Sequence, residues 1–337
     1  MTNVQALHFP TDPAVVKRPA LSVLIPVYNE VEVLPLCFEK LRSVLDGTDL
    51  TYEIVFVDDG SSDGSADYLA ALSYTHPNLK VIRLSRNFGK EAAMSAGIEH
   101  CDGAATVILD ADLQDPPELI PDMVSAWRAG ADVVTMRRRS REGDPWHKRL
   151  SAHLYYRLLN HLSDVPIPAD TGDFRLMSAR AVQALLQLPE RARYMKGIFA
   201  WIGFPTTVIL YERKPRAAGK TKWNYGGLMR LAMEGITSFS IKPLRWASGT
   251  GVTVAGLGLL YGLFIAAKTV LYGDIVQGYP SLIAIIAFLG GVQLITMGLL
   301  GEYVGKSYME AKQRPVFLVR DVLQSRPNHD VLPMERA

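Results

Sequence analysis

The sequence has few cysteines and no large excess of charge of either sign. Its 337 residues include only Cys37 and Cys101, which form no C-x-x-C pair and have no spacing typical of a metal site. This excludes a framework of disulfides, and we expect both thiols to be reduced packing residues in a cytosolic compartment. The net charge of +2 is close to balance, so no global basic field points to nucleic acid as a partner.

Motifs of two common enzyme classes are also absent. No G-x-G-x-x-G opens the first helical stretch, and G-x-x-x-x-G-K-[ST] does not occur. Both absences disfavour a dinucleotide oxidoreductase and a P-loop NTPase. The first 20 residues lack a charged start followed by an apolar run, so we expect no cleaved secretory signal. With three prolines, residues 1–20 are predicted to form a loose tail.

Charge is missing from two long stretches towards the C-terminal end. Residues Trp246 to Ala267 and Ile275 to Gly301 carry no charged side chain. Each run exceeds the roughly 20 residues that cross the hydrocarbon core of a bilayer. We therefore predict transmembrane helices over residues 246–268 and 279–303. Glycines recur in both runs, and we expect them to let the two helices approach closely.

Basic residues flank both predicted spans on the same side of the membrane; they are Lys242, Arg245, Lys306, Lys312 and Arg314. By the positive-inside rule, both termini and the whole N-terminal region are expected in the cytoplasm, with the protein in the inner (cytoplasmic) membrane. Residues 226–245 mix apolar side chains with few charges and predict an interfacial amphipathic helix. Residues 306–337 predict a cytoplasmic tail that contains a β segment.

The N-terminal region alternates β-rich and helical stretches. Examples of the β-rich runs are LSVLIPV, which starts at Leu21, and YEIVFVD, which starts at Tyr52. This alternation predicts an α/β fold with a doubly wound, mostly parallel sheet. Ligands of such sheets bind at the carboxyl ends of the strands. Four aspartates are expected at these strand ends: Asp58, Asp59, Asp110 and Asp112.

Asp110 and Asp112 form a D-x-D at the predicted end of a strand, where residues two apart project to the same side. With no adjacent His or Cys, they are a hard oxygen site suited to Mg²⁺ or Mn²⁺, which prefers phosphate oxygens as its other ligands. A D-x-D taken alone can equally be a pair of turn-forming carboxylates before the next helix. Asp115 and Glu118 are predicted to be residues of that helix start.

Six motifs occur in a fixed order along the chain. They are VLIPVYNE (from Val23), VDDGSSDGS (from Val57), SRNFGKEAA (from Ser85), LDADLQDPPE (from Leu109), GDFRLM (from Gly172) and ERKPRAAGKTKW (from Glu212). With the two C-terminal spans, this series resembles the family-2 glycosyltransferases of GT-A fold. Within that family it is similar to the polyprenyl-phosphate glycosyltransferases, which include bactoprenol glucosyltransferases and dolichol-phosphate mannose synthases. The resemblance covers roughly residues 20 to 320.

The resemblance implies a cytoplasmic GT-A catalytic domain over residues 21–225 that binds a UDP-sugar. It places these residues at the nucleotide sugar: Pro26, Tyr28, Glu30, Asp58, Asp59, Lys90, Asp110 and Ala111. A tyrosine face can stack on a pyrimidine, and a carboxylate can accept a hydrogen bond from uracil or ribose. Asp110 and Asp112 would hold the Mg²⁺ or Mn²⁺ that bridges the donor diphosphate, and this cation would compensate the clustered carboxylates.

The segment DTGDFRLM, from Asp170 to Met177, is predicted to be a Gly-flanked loop. The resemblance implies that Asp173 and Asp112 are catalytic, and it assigns to Asp173 the position that orients or deprotonates the acceptor. A lipid phosphate has a second pKa near 6 and needs little help from a base. We therefore expect Asp173 to act mainly by positioning.

The acceptor phosphate needs positive charge around it, because it approaches a donor diphosphate. The predicted contacts are Arg175, Arg213, Arg216, Lys220 and Lys222. The last four lie in a basic run just before the membrane. That run can also be read as a solvated loop or as an anchor to anionic lipids.

These patterns predict an inverting transferase that moves glucose from UDP-glucose to polyprenyl (undecaprenyl) phosphate. The alternatives are GDP-mannose or another hexose or modified sugar as donor. A processive polysaccharide synthase is disfavoured, because KPLRW (from Lys242) has Lys where the Q-x-x-R-W motif needs Gln. A non-catalytic membrane scaffold is a remote alternative. The resemblance also suggests a homotetramer, in which the C-terminal β segment pairs with a neighbouring subunit.

Overall fold

The computed structural model describes residues 18–139, 171–191, 193–212, 240–272 and 278–325, and the single positions 157, 160, 161, 168 and 237. Nearly all of the predicted N-terminal tail and most of the predicted interfacial helix lie outside the described residues. The end of the C-terminal tail beyond residue 325 also lies outside them.

The described residues form one mixed sheet. Its strands are β1 (Leu21–Val27), β2 (Tyr52–Asp58), β3 (Leu79–Leu84), β4 (Ala105–Ile108), β5 (Val133–Arg138), β6 (Thr171–Ser178), β7 (Thr206–Tyr211) and β8 (Val319–Gln324). The order across the sheet is β7-β5-β6-β4-β1-β2-β3-β8. Four neighbouring strands, β4, β1, β2 and β3, run parallel, whereas β6 is antiparallel to both β4 and β5. The predicted doubly wound α/β fold is confirmed.

Helices cover both faces of the sheet. They are α1 (Leu34–Asp46), α2 (Ser65–Thr75), α3 (Lys90–His100), α4 (Ile120–Arg128), α5 (Ala179–Leu186) and α6 (Met195–Trp201). Helix α1 buries Leu34, Phe38, Leu41 and Leu45, at the spacing of one helical face. Strand β1 is buried on both faces, because its alternate side chains enter two separate apolar clusters on opposite sides of the sheet.

Helix α3 approaches the sheet unusually closely. A methyl group added to Gly97 would lie 2.0 Å from Cδ1 of Leu24 in β1. The absence of a side chain at this position therefore sets the distance between α3 and the central strand.

The prediction of a loop over DTGDFRLM is wrong, because Thr171–Ser178 is strand β6. Phe174 and Leu176 enter one apolar cluster and Met177 enters the cluster on the opposite face, which is the alternation of a strand. The Gly and Asp near its start suggested a turn, but pairing with β4 and β5 on either side satisfies the backbone.

The register of β6 explains how distant aspartates meet. Strands β4 and β6 pair Ala105 with Ser178 and Ile108 with Arg175. Continuing that antiparallel register by two residues beyond β4 places Asp110 opposite Asp173. The first acidic residue of the D-x-D and the aspartate of GDFRLM therefore lie together at one edge of the sheet.

Asp115 lies two residues before the 3-10 turn Pro117–Leu119, as the sequence predicts, and it also has a partner that is distant in sequence. Its side chain is buried and accepts a hydrogen bond from the hydroxyl of Tyr211, at the end of β7. Glu118 lies in that 3-10 turn, directly before α4. The two cysteines are free thiols, as predicted, and burial raises the pKa of Cys37 to about 12.

Two long helices follow the sheet region in sequence: α7 (Lys242–Tyr272) and α8 (Tyr279–Ala311). Within the described residues, both are long and apolar enough to cross a membrane, and large side chains on them are exposed, such as Val270 at 85% and Ile295 at 75%. Helix α7 starts inside the segment predicted as interfacial. The predicted role of the glycines in close packing is wrong, since a methyl group added at any described glycine of α7 or α8 contacts no other segment within 4 Å.

After α8 the chain returns to the sheet. Strand β8 pairs antiparallel with β3, its register linking Lys80 to Gln324 and Ile82 to Val322. Just before β8, Phe317 packs against the apolar cluster on one face of the sheet. The predicted β segment of the tail is therefore confirmed, and in the single chain it extends the chain's own sheet. Its pairing with a neighbouring subunit stays a prediction.

Candidate active site

Two loops at the carboxyl edge of the sheet are joined to one another. The side-chain oxygen of Ser61 accepts a hydrogen bond from the backbone N–H of Asn29 at 2.9 Å, and Asn29 Oδ1 accepts from the N–H of Ser62 at 2.8 Å. Farther along, Asp63 accepts from the N–H of Val31, and Ser65 Oγ accepts from the N–H of Glu30. These bonds connect the VYNE and DDGSSDGS motifs into a single rim.

The predicted nucleotide residues lie along this rim. Pro26 is half-buried within β1, whereas Tyr28, directly after the strand, is 38% exposed. Glu30 lies two residues farther on, with its backbone N–H bonded to Ser65. Asp58 is buried at the end of β2, and one of its oxygens accepts from the N–H of Ser61. The structure therefore brings these four predicted residues together.

Asp59 has a second function that sequence reasoning missed. Its carboxylate accepts hydrogen bonds from the backbone N–H groups of Phe88 at 2.7 Å and Gly89 at 2.9 Å. Burial raises the pKa of Asp59, and these two bonds oppose that shift by favouring the ionised form. Asp59 therefore holds the loop that carries Lys90, in addition to lying near the predicted nucleotide site.

Lys90 connects the aspartate that follows β4 with the aspartate of β6. Its ammonium lies 2.6 Å from Asp110 Oδ1 and 2.8 Å from Asp110 Oδ2, and it also lies 2.6 Å from Asp173 Oδ2. One cation is thus shared between the first aspartate of the D-x-D and the aspartate of β6. This contact joins residues that are far apart in sequence.

The opposite charges in this cluster each favour the ionised form of the other group. Burial alone would raise the pKa of Asp173, but the positive charges of Lys90 and Lys196 hold it well below its ordinary value. For Lys90, the loss of solvent would lower the pKa, whereas Asp110 and Asp173 raise it above its usual range. Both groups are therefore ionised at neutral pH. An aspartate with so low a pKa is a weak base, and its geometry suits orientation of a partner.

Arg175 contacts the backbone around Asp173. Its guanidinium donates to the carbonyl of Gly172 at 2.8 Å and stacks on the ring of Phe199, 3.7 Å from the ring centre. It is buried, and burial lowers its pKa to about 10, so it remains positively charged at neutral pH. In this conformation it supports the start of β6, and it does not line the cavity described below.

The donor set at the D-x-D fits a divalent cation that is completed by a ligand. Asp110 and Asp112 flank the buried Ala111 directly after β4. Within the described part of the chain, no group of three or more His, Cys, Asp or Glu side chains is placed to hold a metal. Two carboxylates without further protein ligands are typical of Mg²⁺ sites that take their other oxygens from a substrate phosphate.

A cavity of about 1250 Å³ opens from Lys90 and Asp173 towards the end of α8. Its wall includes Phe88, Tyr194, Gly305 and Met309. The cationic residues that line it are Arg86, Lys90, Arg191, Arg193, Lys196, Lys306 and Arg314. Three acidic residues, Glu91, Asp173 and Glu302, also line it, so positive charge is in excess between the carboxylate cluster and the end of a helix long enough to cross a membrane.

Sequence reasoning missed most of these cations. The stretch ERARYMKG, from Glu190 to Gly197, carries Arg191, Arg193 and Lys196 within six positions, and this density was the available signal. The cations predicted instead, Arg213, Arg216, Lys220 and Lys222, lie outside the described residues. The structure neither supports nor contradicts their predicted contact with the acceptor.

Arg191 fastens the catalytic region to the end of α8. Its backbone N–H donates to Glu310 Oε1 at 2.9 Å, and its Nε donates to the carbonyl of Arg314 at 2.6 Å. The same guanidinium lies 3.9 Å from Glu310 Oε2. These contacts join the segment around Arg191 to the C-terminal end of α8, and both segments line the cavity.

Comparisons with known proteins agree with this architecture. The profile of the family "Glycosyl transferase family 2" matches residues 22–186, and that of the "GtrB C-terminal hairpin" matches residues 242–307. The second match covers α7 and most of α8.

Three curated relatives match over nearly their full length. An uncharacterised glycosyltransferase of Synechocystis sp. is 46% identical, over 94% of this chain and 98% of its own. A prophage bactoprenol glucosyl transferase homolog of Escherichia coli K12 is 42% identical, over 90% of this chain and 99% of its own. The bactoprenol glucosyl transferase of Shigella phage SfV is 43% identical, with the same coverage of the two chains.

Proposed function

The chain belongs to glycosyl transferase family 2, and on that premise we propose that it transfers glucose from UDP-glucose to a polyprenyl phosphate at a membrane surface. The observation that carries this proposal is the cationic cavity, which joins the Asp110–Lys90–Asp173 cluster to the end of α8. Relatives named for transfer of glucose to bactoprenol, the polyprenyl carrier, support the same acceptor class.

The donor is proposed to bind at the rim formed by the first two strand ends. Tyr28 offers an exposed ring for stacking on a pyrimidine, and Asp58 lies beside it as a hydrogen-bond acceptor for uracil or ribose. Asp110 and Asp112 would hold Mg²⁺ or Mn²⁺, which would stabilise the charge of the leaving diphosphate. Lys90 lies beside Asp110, where it can contact a phosphate oxygen of the donor.

The acceptor phosphate is proposed to occupy the cavity. Lys196 and Arg193 offset its negative charge as it approaches the donor diphosphate. A phosphate oxygen then attacks the anomeric carbon from the face opposite the leaving group. The bond from that carbon to the diphosphate oxygen breaks with its electron pair, giving UDP and a polyprenyl-phosphate sugar of inverted configuration. Asp173, which is ionised, orients the reacting groups through Lys90 and needs to accept no proton from a dianionic phosphate.

The same geometry supports a proposed arrangement in the membrane. The cavity ends at Gly301–Met309, near the C-terminal end of α8, and basic residues lie there and at the start of α7. By the positive-inside rule we place these helix ends and the catalytic region on the cytoplasmic side of the inner membrane. The prenyl chain of the acceptor would then stay in the bilayer while its phosphate enters the cavity. A homotetramer remains a prediction from the resemblance.

The test is a transfer assay with the full-length chain purified in detergent. It contains undecaprenyl phosphate, Mg²⁺ or Mn²⁺ and a panel of radiolabelled UDP- and GDP-sugars, and it measures label that enters the chloroform phase. We expect labelled lipid from UDP-glucose, and none after EDTA or in the variant Asp112→Asn. Label from GDP-mannose instead would replace the proposed donor. No lipid product from any donor, with nucleotide binding intact, would refute the lipid acceptor and favour the scaffold.

A further inference from the structure

Lys90 makes contacts that no single binding role requires. Its ammonium contacts both oxygens of Asp110, which belongs to the donor side of the site, and one oxygen of Asp173, which belongs to the acceptor side. A lysine that only bound phosphate would need neither contact. A lysine that only stabilised the fold would be expected to be enclosed, yet the side chain of Lys90 is 42% exposed and lines the cavity.

We propose that Lys90 is an exchangeable counter-ion, which occupies Asp110 in the empty site and yields it when the donor arrives with its divalent cation. The inference rests on the proposed donor site. In the empty enzyme the ammonium lies between two carboxylates and offsets part of their mutual repulsion. On donor binding it transfers from Asp110 to the diphosphate and keeps its contact with Asp173. The same side chain thus connects donor occupancy to the acceptor side.

The surroundings of Lys90 allow this exchange without movement of the backbone. Gly89 precedes it at φ +98°, and the N–H groups of Phe88 and Gly89 are both held by Asp59. The start of α3 is therefore anchored, and the lysine side chain with its four-carbon stem is the part that can move. Because it faces the cavity, the ammonium can shift by a few ångström without leaving solvent.

The proposal predicts two effects of opposite sign in one variant. Lys90→Met removes the cation that competes with a metal for Asp110, so Mn²⁺ alone should bind more tightly. Coulomb's law gives an increase on the order of tenfold for removal of a unit charge about 5 Å from a divalent ion in a water-like dielectric. The same variant lacks the contact to the diphosphate, so UDP should bind more weakly in the presence of saturating Mn²⁺.

The experiment titrates Mn²⁺ into the full-length chain in detergent and follows free Mn²⁺ by its electron paramagnetic resonance signal. It is repeated with UDP present. Lys90→Arg keeps the charge and should resemble the wild type in both titrations. Lys196→Met removes another cation of the same cavity that has no bond to Asp110, so it should change the affinity for Mn²⁺ far less. If Lys90→Met does not purify as a folded protein, Lys90→Gln makes the same comparison.

An unchanged or weaker affinity of Lys90→Met for Mn²⁺ overturns the counter-ion role, even where the wild type transfers glucose normally. An equal increase in the Mn²⁺ affinity of Lys196→Met overturns it as well, because the effect would then come from the overall positive charge of the cavity and not from the contact with Asp110. Failure of the transfer assay with Mn²⁺ binding as expected would refute the proposed function and leave the exchange at Asp110 standing. The two ideas are therefore separable.

Discussion

Gly60 is a position where we expect the addition of one methyl group to disturb the proposed donor site. It lies in the turn after β2 at φ +68°, in the left-handed region that favours glycine. A methyl group added there would lie 2.5 Å from the carbonyl carbon of Arg86, 2.7 Å from the nitrogen of Asn87 and 2.9 Å from Cα of Arg86. All three atoms belong to the backbone of the loop that leads to Lys90, so no side-chain rotation can relieve the contact.

The cost of Gly60→Ala has two parts. The left-handed conformation costs about 1–2 kcal/mol for a residue with a Cβ atom, and overpacking against fixed atoms costs about 1–3 kcal/mol more. The sum of about 2–5 kcal/mol corresponds to a fall in Tm of roughly 5–15 °C for a domain of this size. The loop must also shift, which weakens the bonds from Phe88 and Gly89 to Asp59.

Gly130→Ala is the matched control. Gly130 also has a positive φ, +106°, but a methyl group there meets no atom within 4 Å. It should therefore lose only the conformational part, about 1–2 kcal/mol, and keep its affinity for UDP. The assays are the apparent Tm in detergent at one scan rate and UDP binding with Mn²⁺ present. Equal Tm losses in the two variants, with UDP binding intact in Gly60→Ala, would refute the role assigned to this contact.

Three further predictions concern charged groups. Asp173→Asn should lower kcat about 100-fold or more with little change in the KM for UDP-glucose, as loss of positioning requires; because the pKa of Asp173 is below its ordinary value, the wild-type kcat should show no inflection from this group between about pH 5 and 8. Lys80→Met removes the cation 3.1 Å from the buried carboxylate of Glu53, which keeps the hydrogen bonds from Ser22 and from the N–H of Asp102. The change should cost about 3–5 kcal/mol, measured as a fall in Tm that the added change Glu53→Gln partly reverses. Arg191→Gln removes the guanidinium's ion pair with Glu310 and its hydrogen bond to the carbonyl of Arg314, whereas the backbone N–H bond to Glu310 is kept. It should raise the KM for the acceptor roughly tenfold, from the loss of about 1–2 kcal/mol; an unchanged acceptor KM would show that this contact does not shape the cavity.

The sequence alone determined much of the fold, because local patterns carry that information. The alternation of apolar strands and helices predicted the doubly wound sheet, and the charge-free runs predicted α7 and α8. It also predicted that Asp58, Asp59, Asp110 and Asp112 lie at strand ends, since strand ends follow directly from where apolar runs stop. The residues of the VYNE and DDGSSDGS motifs were located correctly for the same reason.

Relations between motifs were harder to predict. GDFRLM was predicted to be a loop because Gly172 and Asp173 suggest a turn, and only pairing with β4 and β5 makes this segment a strand. Asp115 lies near a helix start, as its sequence context predicts, but its hydrogen bond with Tyr211, 96 positions away, was not predicted. No local pattern specifies such a partner.

What the sequence determined by itself is the set of chemical groups and the elements that carry them: an acidic pair after β4, a glycine-rich turn after β2 and two apolar helices near the end. The tertiary structure alone decided that Lys90 lies between Asp110 and Asp173, and that a cationic cavity connects them to the end of α8. The physical reason is that strand register and the return of β8 to the sheet bring together residues separated by more than 80 positions. Such placement depends on the packing of the whole sheet, whereas the motifs depend only on their neighbours in the chain.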